Sequence, residues 1–345
     1  MLIMAVALLV AARGVTTTWA MKRSPTIESM GEATRLVTVK DARPVLTPST
    51  AVTPTPKATP KATPKATATA TATPKVTPKP KPKATVATMG TKTARNVTCT
   101  YPQGSAKATM VARELQAKIW AAVSSNTARM GASVYDWNTN VWCSYAGART
   151  FDSASIIKAT TLATLLWQRQ QGGRPLSAAE QSWATAAITE SDNTAESSMW
   201  ADVGYGAGVS TFLKATGMNQ TTVDSAGYWG LTQVTAHDQV VLLRVLADPG
   251  LLSAVSRNYQ LTLMRSVEDD QRWGVSVDAP NGATVADKNG WLPGAAAGWT
   301  INSIGLITGS GHKYAIAVLS DTNPSMSVGV QRVEEVSDAI NDALT

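Results

Sequence analysis

A short apolar run near the C-terminus constrains the fold more than any other stretch of the sequence. Residues 314–319 read YAIAVL, so an extended segment here is apolar on both of its faces. Such a strand is stable only where other elements cover both faces. The sequence therefore predicts a central strand with structure on each side. The 345 residues are enough for one large domain or two of ordinary size.

The order of the other patterns places this strand in a sheet. Strand-like segments lie on both sides of a long helical region, so the two ends of the domain share one sheet and the middle forms a helical subdomain. The predicted helices are at 105–125, after residue 153, and at 176–189, 194–203, 209–217, 234–248, 250–266 and 327–344. The predicted strands are at 130–136, 141–146, 284–289, 299–307 and 313–320.

The N-terminal part has a different composition. Residues 1–12 are apolar but fewer than the roughly 20 residues of a membrane span. We expect residues 1–20 to be a signal peptide or N-terminal anchor and the protein to be secreted, with cell-wall or membrane association. Residues 21–96 are predicted to be a disordered linker rich in Thr, Pro, Lys and Ala, because they bury too little apolar surface to fold. The folded domain is predicted at 97–345.

Charge separates the same two regions. Residues 1–97 carry a net charge of +12, and residues 98–345 carry −5. A nucleic-acid-binding domain concentrates basic residues on its folded surface, so this class is disfavoured. The basic linker is either a spacer that also contacts anionic cell-wall polymers or a tail that only aids solubility. We expect the protein to act as a monomer.

The chain has two cysteines, Cys99 and Cys143. In an exported protein they are expected to form a disulfide that ties the start of the domain to an early strand. Closing this loop would contribute on the order of 3–4 kcal/mol to stability. The alternative is two buried free thiols. Neither the cysteines nor the two histidines have the spacing of a zinc site, and no metal or cofactor is predicted.

The candidate catalytic pair is Ser155 and Lys158, at the start of a predicted amphipathic helix. Asp152 or Ser153 is expected to cap this helix. Ser155 then lies in the first turn, near unpaired backbone N–H groups, with Lys158 on the same face three residues later. A lysine with restricted solvation loses part of its proton affinity and can accept the serine proton. An isolated S-x-x-K pattern is more often a solvated lysine beside an ordinary serine.

Two further motifs follow in order. Residues 191–193 read S-D-N, and residues 288–290 read K-N-G. With Ser155 and Lys158 they resemble the S-x-x-K, S-D-N and K-T-G set of class A β-lactamases and penicillin-binding proteins. The resemblance covers about residues 98–345. It implies the serine β-lactamase-like α/β (α+β) fold, an antiparallel sheet flanked by helices beside an all-helical subdomain.

The resemblance also implies roles for the second motif. Ser191 would pass a proton to the leaving nitrogen, and Asn193 would bind a substrate amide. Asp192 would hold the loop. Taken alone, this S-D-N sequence is more often a helix-capping turn.

The third motif departs from the family pattern, since Asn289 stands where threonine is usual. By resemblance Lys288 would attract a substrate carboxylate, and Asn289 would bind it through an amide instead of a hydroxyl. Gly290 would let a substrate approach the strand. The backbone N–H groups of Ser155 and Trp291 would stabilise the oxyanion.

The largest departure concerns deacylation. Class A β-lactamases carry a glutamate on a loop after S-D-N that directs the hydrolytic water. Residues 218–231 fill this region and contain no glutamate, with Asp224 as the single acid. Asp224 is expected to be a turn residue, and Glu190 can pair with a lysine instead. Efficient β-lactam turnover is therefore not expected.

The sequence thus predicts an exported serine acyl-hydrolase that acts on β-lactams or peptidoglycan-like peptides through an acyl-enzyme on Ser155. The alternatives are a D,D-peptidase-like enzyme and a catalytically inactive cell-wall-binding module. A triad-type esterase is disfavoured, because the sequence has no G-x-S-x-G and neither histidine has an evident partner.

Overall fold

The fold is built around an antiparallel sheet of seven strands. The computed structural model describes residues 87–294 and 298–345. The seven strands are β1 Met89–Ala94, β2 Val97–Pro102, β3 Arg129–Asp136, β4 Val141–Tyr145, β7 Thr284–Leu292, β8 Trp299–Gly309 and β9 His312–Asn323. Their order in the sheet is β1-β2-β4-β3-β9-β8-β7, so strands from both ends of the domain share the sheet as predicted. A separate pair joins β5 Thr150–Asp152 and β6 Gln233–Thr235.

The central strand is β9, which contains the apolar run. It pairs with β3 on one side and β8 on the other, and its residues 314–319 are buried. Alternate side chains serve two cores because successive residues of a strand point to opposite faces. Ile316 packs among residues of the N- and C-terminal helices, whereas Ala317 packs in the core of the helical region. The prediction of a strand covered on both faces is confirmed.

Eight helices surround the sheet in the described part of the chain. The first helix, Ala106–Ser124, and the last, Met326–Leu344, cover one face, and the helix Ala236–Ala247 packs on the other beside the helical subdomain. This arrangement confirms the predicted fold class. The helices are α1 Ala106–Ser124, α2 Ile157–Gln171, α3 Ala178–Thr185, α4 Asn193–Asp202, α5 Tyr205–Thr216, α6 Ala236–Ala247, α7 Ala254–Arg265 and α8 Met326–Leu344. None of the helices described is long and apolar enough to span a bilayer.

The folded region begins earlier than the predicted boundary at residue 97. Strands β1 and β2 form a hairpin whose turn residues, Arg95 and Asn96, both have positive φ. Hydroxyl groups pair across it, with Thr93 Oγ1 and Thr98 Oγ1 2.8 Å apart. The composition of β1 matches that of the linker before it, so composition alone does not separate this strand from the linker. The predicted signal segment, 1–20, and the linker up to residue 86 lie outside the described residues.

Cys99 and Cys143 form a disulfide. They lie directly opposite each other on β2 and β4, and both are fully buried. The two cysteines are separated by 44 residues in sequence. The bond therefore reduces the conformational entropy of this segment in the unfolded state, a segment that forms α1 and β3 on folding.

Breaking this disulfide should destabilise the domain without unfolding it. We expect the double variant Cys99→Ala/Cys143→Ala to lose about 4 kcal/mol of unfolding free energy, since loop closure no longer restricts the unfolded state. Urea denaturation followed by tryptophan fluorescence measures the loss. Wild type in reductant is the matched control and should show the same change. Equal stability of reduced and oxidised protein would contradict the prediction.

Candidate active site

Ser155 lies in a short 3-10 turn, Ala154–Ile156, directly before α2 begins at Ile157. Ala154 has a φ of 48°, a left-handed conformation that is costly for a residue with a side chain. The Ser155 side chain is half-buried, and its Oγ makes no hydrogen bond to any residue that the structure describes. The hydroxyl is therefore available to an incoming group.

The predicted cap of this helix is wrong. The side chain of Ser153 bonds no helical N–H and lies 3.2 Å from the carbonyl oxygens of Trp229 and Gly230. Asp152 lies in β5 and accepts a hydrogen bond from Gln233. Ser153 instead ties the turn to the loop before β6, and Asp152 bonds the first residue of β6. Tertiary contacts, not a local cap, hold Ser155 in place.

Lys158 is fully buried one turn after Ser155. Its Nζ donates to the Ser191 carbonyl oxygen and to Asn193 Oδ1 at 2.9 Å, and it lies 3.1 Å from Ser191 Oγ. Burial, together with the nearby charge of Lys288, lowers the pKa of Lys158 well below its usual value. An amine in this state can accept a proton.

Ser191 connects the two buried lysines. Its Oγ lies 3.1 Å from Lys158 Nζ and 3.0 Å from Lys288 Nζ. Ser191 has a φ of 58°, at the end of a π turn that follows α3, so the backbone reverses before α4. Asp192 caps α4, since its Oδ1 accepts from Ala195 N at 2.6 Å. This agrees with the prediction that Asp192 holds the loop.

Lys288 approaches the same hydroxyl from β7, the edge strand of the sheet. It is fully buried, and its Nζ also donates to the Asn289 carbonyl oxygen at 3.0 Å. Burial lowers the pKa of Lys288 to about 8. The sheet and the helical subdomain therefore each contribute one lysine to a shared serine.

Gly290 brings β7 against the turn of Ser155. A Cβ at this position would lie 2.7 Å from Ser155 N and 2.8 Å from Ile156 N, so only glycine permits this approach. The next residue, Trp291, is half-buried on the same strand. The three motifs thus meet at one place, with the backbone of Ser155 packed against Gly290 of β7.

Asn289 does not face this cleft, and its predicted role in substrate binding is wrong. The side chain is fully buried, and its Nδ2 donates to the carbonyl oxygens of Gln271 at 2.6 Å and Trp273 at 2.9 Å. Side chains alternate along a strand, so Asn289 points away from the side used by Lys288 and Gly290. Its amide anchors β7 to the segment before it.

The loop at 218–231 contacts the site through an aromatic residue that the sequence did not indicate. The Trp229 ring centre lies 5.2 Å from Lys158 Nζ, and its Nε1 donates to Ser197 Oγ at 3.3 Å. Asp224 is a turn residue, as predicted, since its Oδ2 accepts from Ala226 N and Tyr228 N, each at 3.0 Å. Glu190 is exposed and forms no ion pair with the residues described, contrary to the suggested lysine pairing.

Comparison with known proteins agrees with this architecture. The model of the Beta-lactamase enzyme family matches residues 177–344, a range that includes Ser191 and Lys288 and begins after Ser155. A search of curated proteins finds no match.

Several solved structures share the fold. A class A β-lactamase from Bacteroides cellulosilyticus is 16% identical, with a TM-score of 0.59 over 67% of this chain and 97% of that one. PBP-A is 19% identical, with a TM-score of 0.60 over 67% and 95%. A β-lactamase from Xanthomonas campestris is 18% identical, with a TM-score of 0.59 over 68% and 99%. At these identities the likeness establishes the fold.

The close approach of β7 to the Ser155 turn predicts a cost for any side chain at Gly290. We expect Gly290→Ala to lower the unfolding free energy by about 1–3 kcal/mol, because the added Cβ displaces backbone atoms. Gly172→Ala is the matched control, since its Cβ would make ordinary contacts at 3.5 Å or more. Denaturant unfolding compares the two, and an equal effect would argue against the tight approach.

Proposed function

Because the chain has the serine β-lactamase-like fold, we propose that it is a serine acyl-hydrolase that forms an acyl-enzyme on Ser155 with β-lactams or peptidoglycan-like peptides. One observation carries this proposal. The Ser191 hydroxyl lies between the amines of Lys158 and Lys288, and Lys158 lies one helical turn after Ser155. A nucleophile, a base with a lowered pKa and a proton-transferring hydroxyl are the parts that acylation needs.

In the proposed reaction, Ser155 Oγ attacks the carbonyl carbon of the substrate. The Oγ–C bond forms while the hydroxyl proton passes to neutral Lys158. The C–N bond then breaks, and Ser191 gives its proton to the leaving nitrogen. Ser191 regains a proton from Lys158, which returns to its neutral form. Backbone N–H groups of Ser155 and Trp291 would stabilise the developing oxyanion.

Two side chains would orient the substrate. The Oδ1 of Asn193 is occupied by Lys158, which fixes the amide so that its NH2 group can donate to a substrate carbonyl. Lys288 would supply positive charge for a substrate carboxylate. Asn289 has no part in this scheme because it is buried on the other side of β7.

Hydrolysis of the acyl-enzyme is the weak step of this scheme. Its loop has no glutamate, and Asp224 is engaged by two backbone N–H groups within its own turn. The indole of Trp229 packs over Lys158 instead. A penicillin adduct would therefore form and persist. A variant of PBP-A with this fold has been solved as an acyl-enzyme complex with penicillin G, so penicillin is a suitable probe.

The same observations favour a second candidate, a D,D-peptidase-like enzyme. Such an enzyme acylates its serine in the same way and does not depend on a loop glutamate. Release of D-alanine from a peptide ending in D-Ala-D-Ala would distinguish it from a β-lactam hydrolase. A protein that neither releases D-alanine nor takes up penicillin would be the inactive wall-binding module.

We also propose that the protein is exported and that its basic linker contacts anionic wall polymers. The support is the apolar run at 1–12 and the lysine-rich composition of the linker. Fractionation of the producing cells, with and without residues 1–20, tests the export.

Ser155 should be the site of a covalent penicillin adduct. Intact-mass analysis of wild type should show one added penicillin, and Ser155→Ala should show none because the nucleophile is lost. Lys158→Met should slow adduct formation by about 100-fold or more, since no base accepts the proton. Ser198→Ala is the control, because this hydroxyl bonds only the backbone of α4. An adduct on the Ser155→Ala protein would refute the assignment.

Turnover of β-lactams should slow sharply after the first acylation. A chromogenic cephalosporin should give a burst of about one equivalent per protein, followed by a much slower phase, as expected for an accumulating acyl-enzyme. Asp224→Asn should leave the slow phase unchanged if Asp224 is a turn residue. Rapid linear hydrolysis without a burst, or a slow phase lost in Asp224→Asn, would contradict this account.

A further inference from the structure

Glu196 is a buried acid that the reaction scheme above does not use. It lies in the first turn of α4 and is fully buried. Its Oε1 lies 2.7 Å from Thr161 Oγ1, and its Oε2 has no hydrogen-bond partner among the residues described. A buried carboxyl oxygen without a partner is costly, so this position calls for an explanation.

The two helices that meet here form two successive contacts. Lys158 of α2 bonds Asn193 of α4, and Thr161 bonds Glu196, each three residues farther along its own helix. Residues three apart lie on the same helical face. The contact of Glu196 therefore lies about one turn farther along α2 from Ser155 than the contact of Lys158.

Charged groups around Glu196 are few and identifiable. The cations that act on its carboxyl are Lys158 from α2 and Lys288 from β7. Asp192, at the start of α4, acts on Lys158 as a second acid. At the far end of α4, Asp202 and the α3 residue Glu180 are both paired with Arg169 of α2. Lys158 and Lys288 are thus the cations whose charge stabilises the ionised form of Glu196.

Burial and charge oppose each other at this pair. Burial raises the pKa of the Glu196 carboxyl to about 7, although both lysines act to lower it. In return, the ionised carboxyl raises the pKa of Lys158, against the effect of burial. The two groups therefore titrate together, and the charge of one depends on the charge of the other.

The hydrogen bonds of Thr161 fit a carboxyl that can hold a proton. Thr161 Oγ1 is 2.7 Å from Glu196 Oε1 and 3.2 Å from the Ile157 carbonyl oxygen, but a hydroxyl has one proton. If Glu196 is ionised, Thr161 can donate to only one of them. If Glu196 is protonated, it donates to Thr161, which donates to Ile157.

We propose that Glu196 is a positioning residue that sets the charge of Lys158 from behind the site. The inference rests on the proposed function, in which Lys158 takes the Ser155 proton. When Glu196 is ionised, it stabilises the ammonium group that this transfer creates. When it is protonated, it leaves Lys158 neutral and ready to accept. Glu196 touches no reacting atom and acts only through Lys158.

Glu196→Gln tests this role, because glutamine keeps the shape and the bond to Thr161 but cannot ionise. Without the anion, Lys158 should lose its proton at lower pH and be a weaker base. The acid limb of the penicillin acylation rate should move down by about one pH unit, and the plateau should fall several-fold. Glu190→Gln, an exposed glutamate close in sequence, is the matched control and should change neither.

A second measurement is independent of any reaction. The pKa of Lys158 is followed by carbon-13 NMR of lysine-labelled full-length protein, with Lys158→Met to assign the signal. A lower pKa in Glu196→Gln and no change in Glu190→Gln supports the coupling. An unchanged Lys158 pKa overturns it, even if acylation slows. A lowered pKa in a protein that penicillin never acylates and that releases no D-alanine would sustain the coupling and refute the proposed function.

Discussion

Two buried amines that share one hydroxyl are the constraint on which the site depends. An ammonium group taken out of water loses much of its hydration, so burial lowers the pKa of both Lys158 and Lys288. The Ser191 hydroxyl lies within hydrogen-bonding distance of both amines and is the relay in the proposed reaction. Because one lysine comes from the helical subdomain and the other from the sheet, the site exists only when both are packed together.

Backbone strain accompanies this convergence. Ala154 and Ser191 both have left-handed conformations, one just before the proposed nucleophile and the other at the relay. Such conformations persist where the surroundings fix them. Here Ser153 ties the first turn to the loop at 229–230, and Asp192 caps the helix after the second. Loop and cap contacts, outside the reacting atoms, thus maintain the geometry.

The sequence predicted the fold well because its main signals are local. The run in β9 that is apolar on both faces and the order of helices and strands define the sheet. The three motifs lie where this sheet packs against the helical subdomain. The prediction for Asn289 failed because replacing threonine by asparagine was assumed to keep the side chain in the cleft. Alternation along β7 instead places Asn289 on the face opposite Lys288, where its amide donates to the carbonyl groups of Gln271 and Trp273. Strand β1 was missed because its composition matches the linker.

The sequence did not predict Trp229 and Glu196 as parts of the site, for a related reason. Each acts on Lys158 from an element far along the chain, and neither belongs to a recognisable spacing. Their positions bear on different steps of the proposed reaction, Glu196 on acylation and Trp229 on hydrolysis of the acyl-enzyme. Glu196 lies behind Lys158, where it can influence proton transfer during acylation, whereas the loop side of Lys158 is covered by an indole instead of a carboxylate. In the proposed reaction, the ionisable group on one side of the lysine supports formation of the acyl-enzyme, whereas the aromatic ring on the other side supplies no base for its hydrolysis.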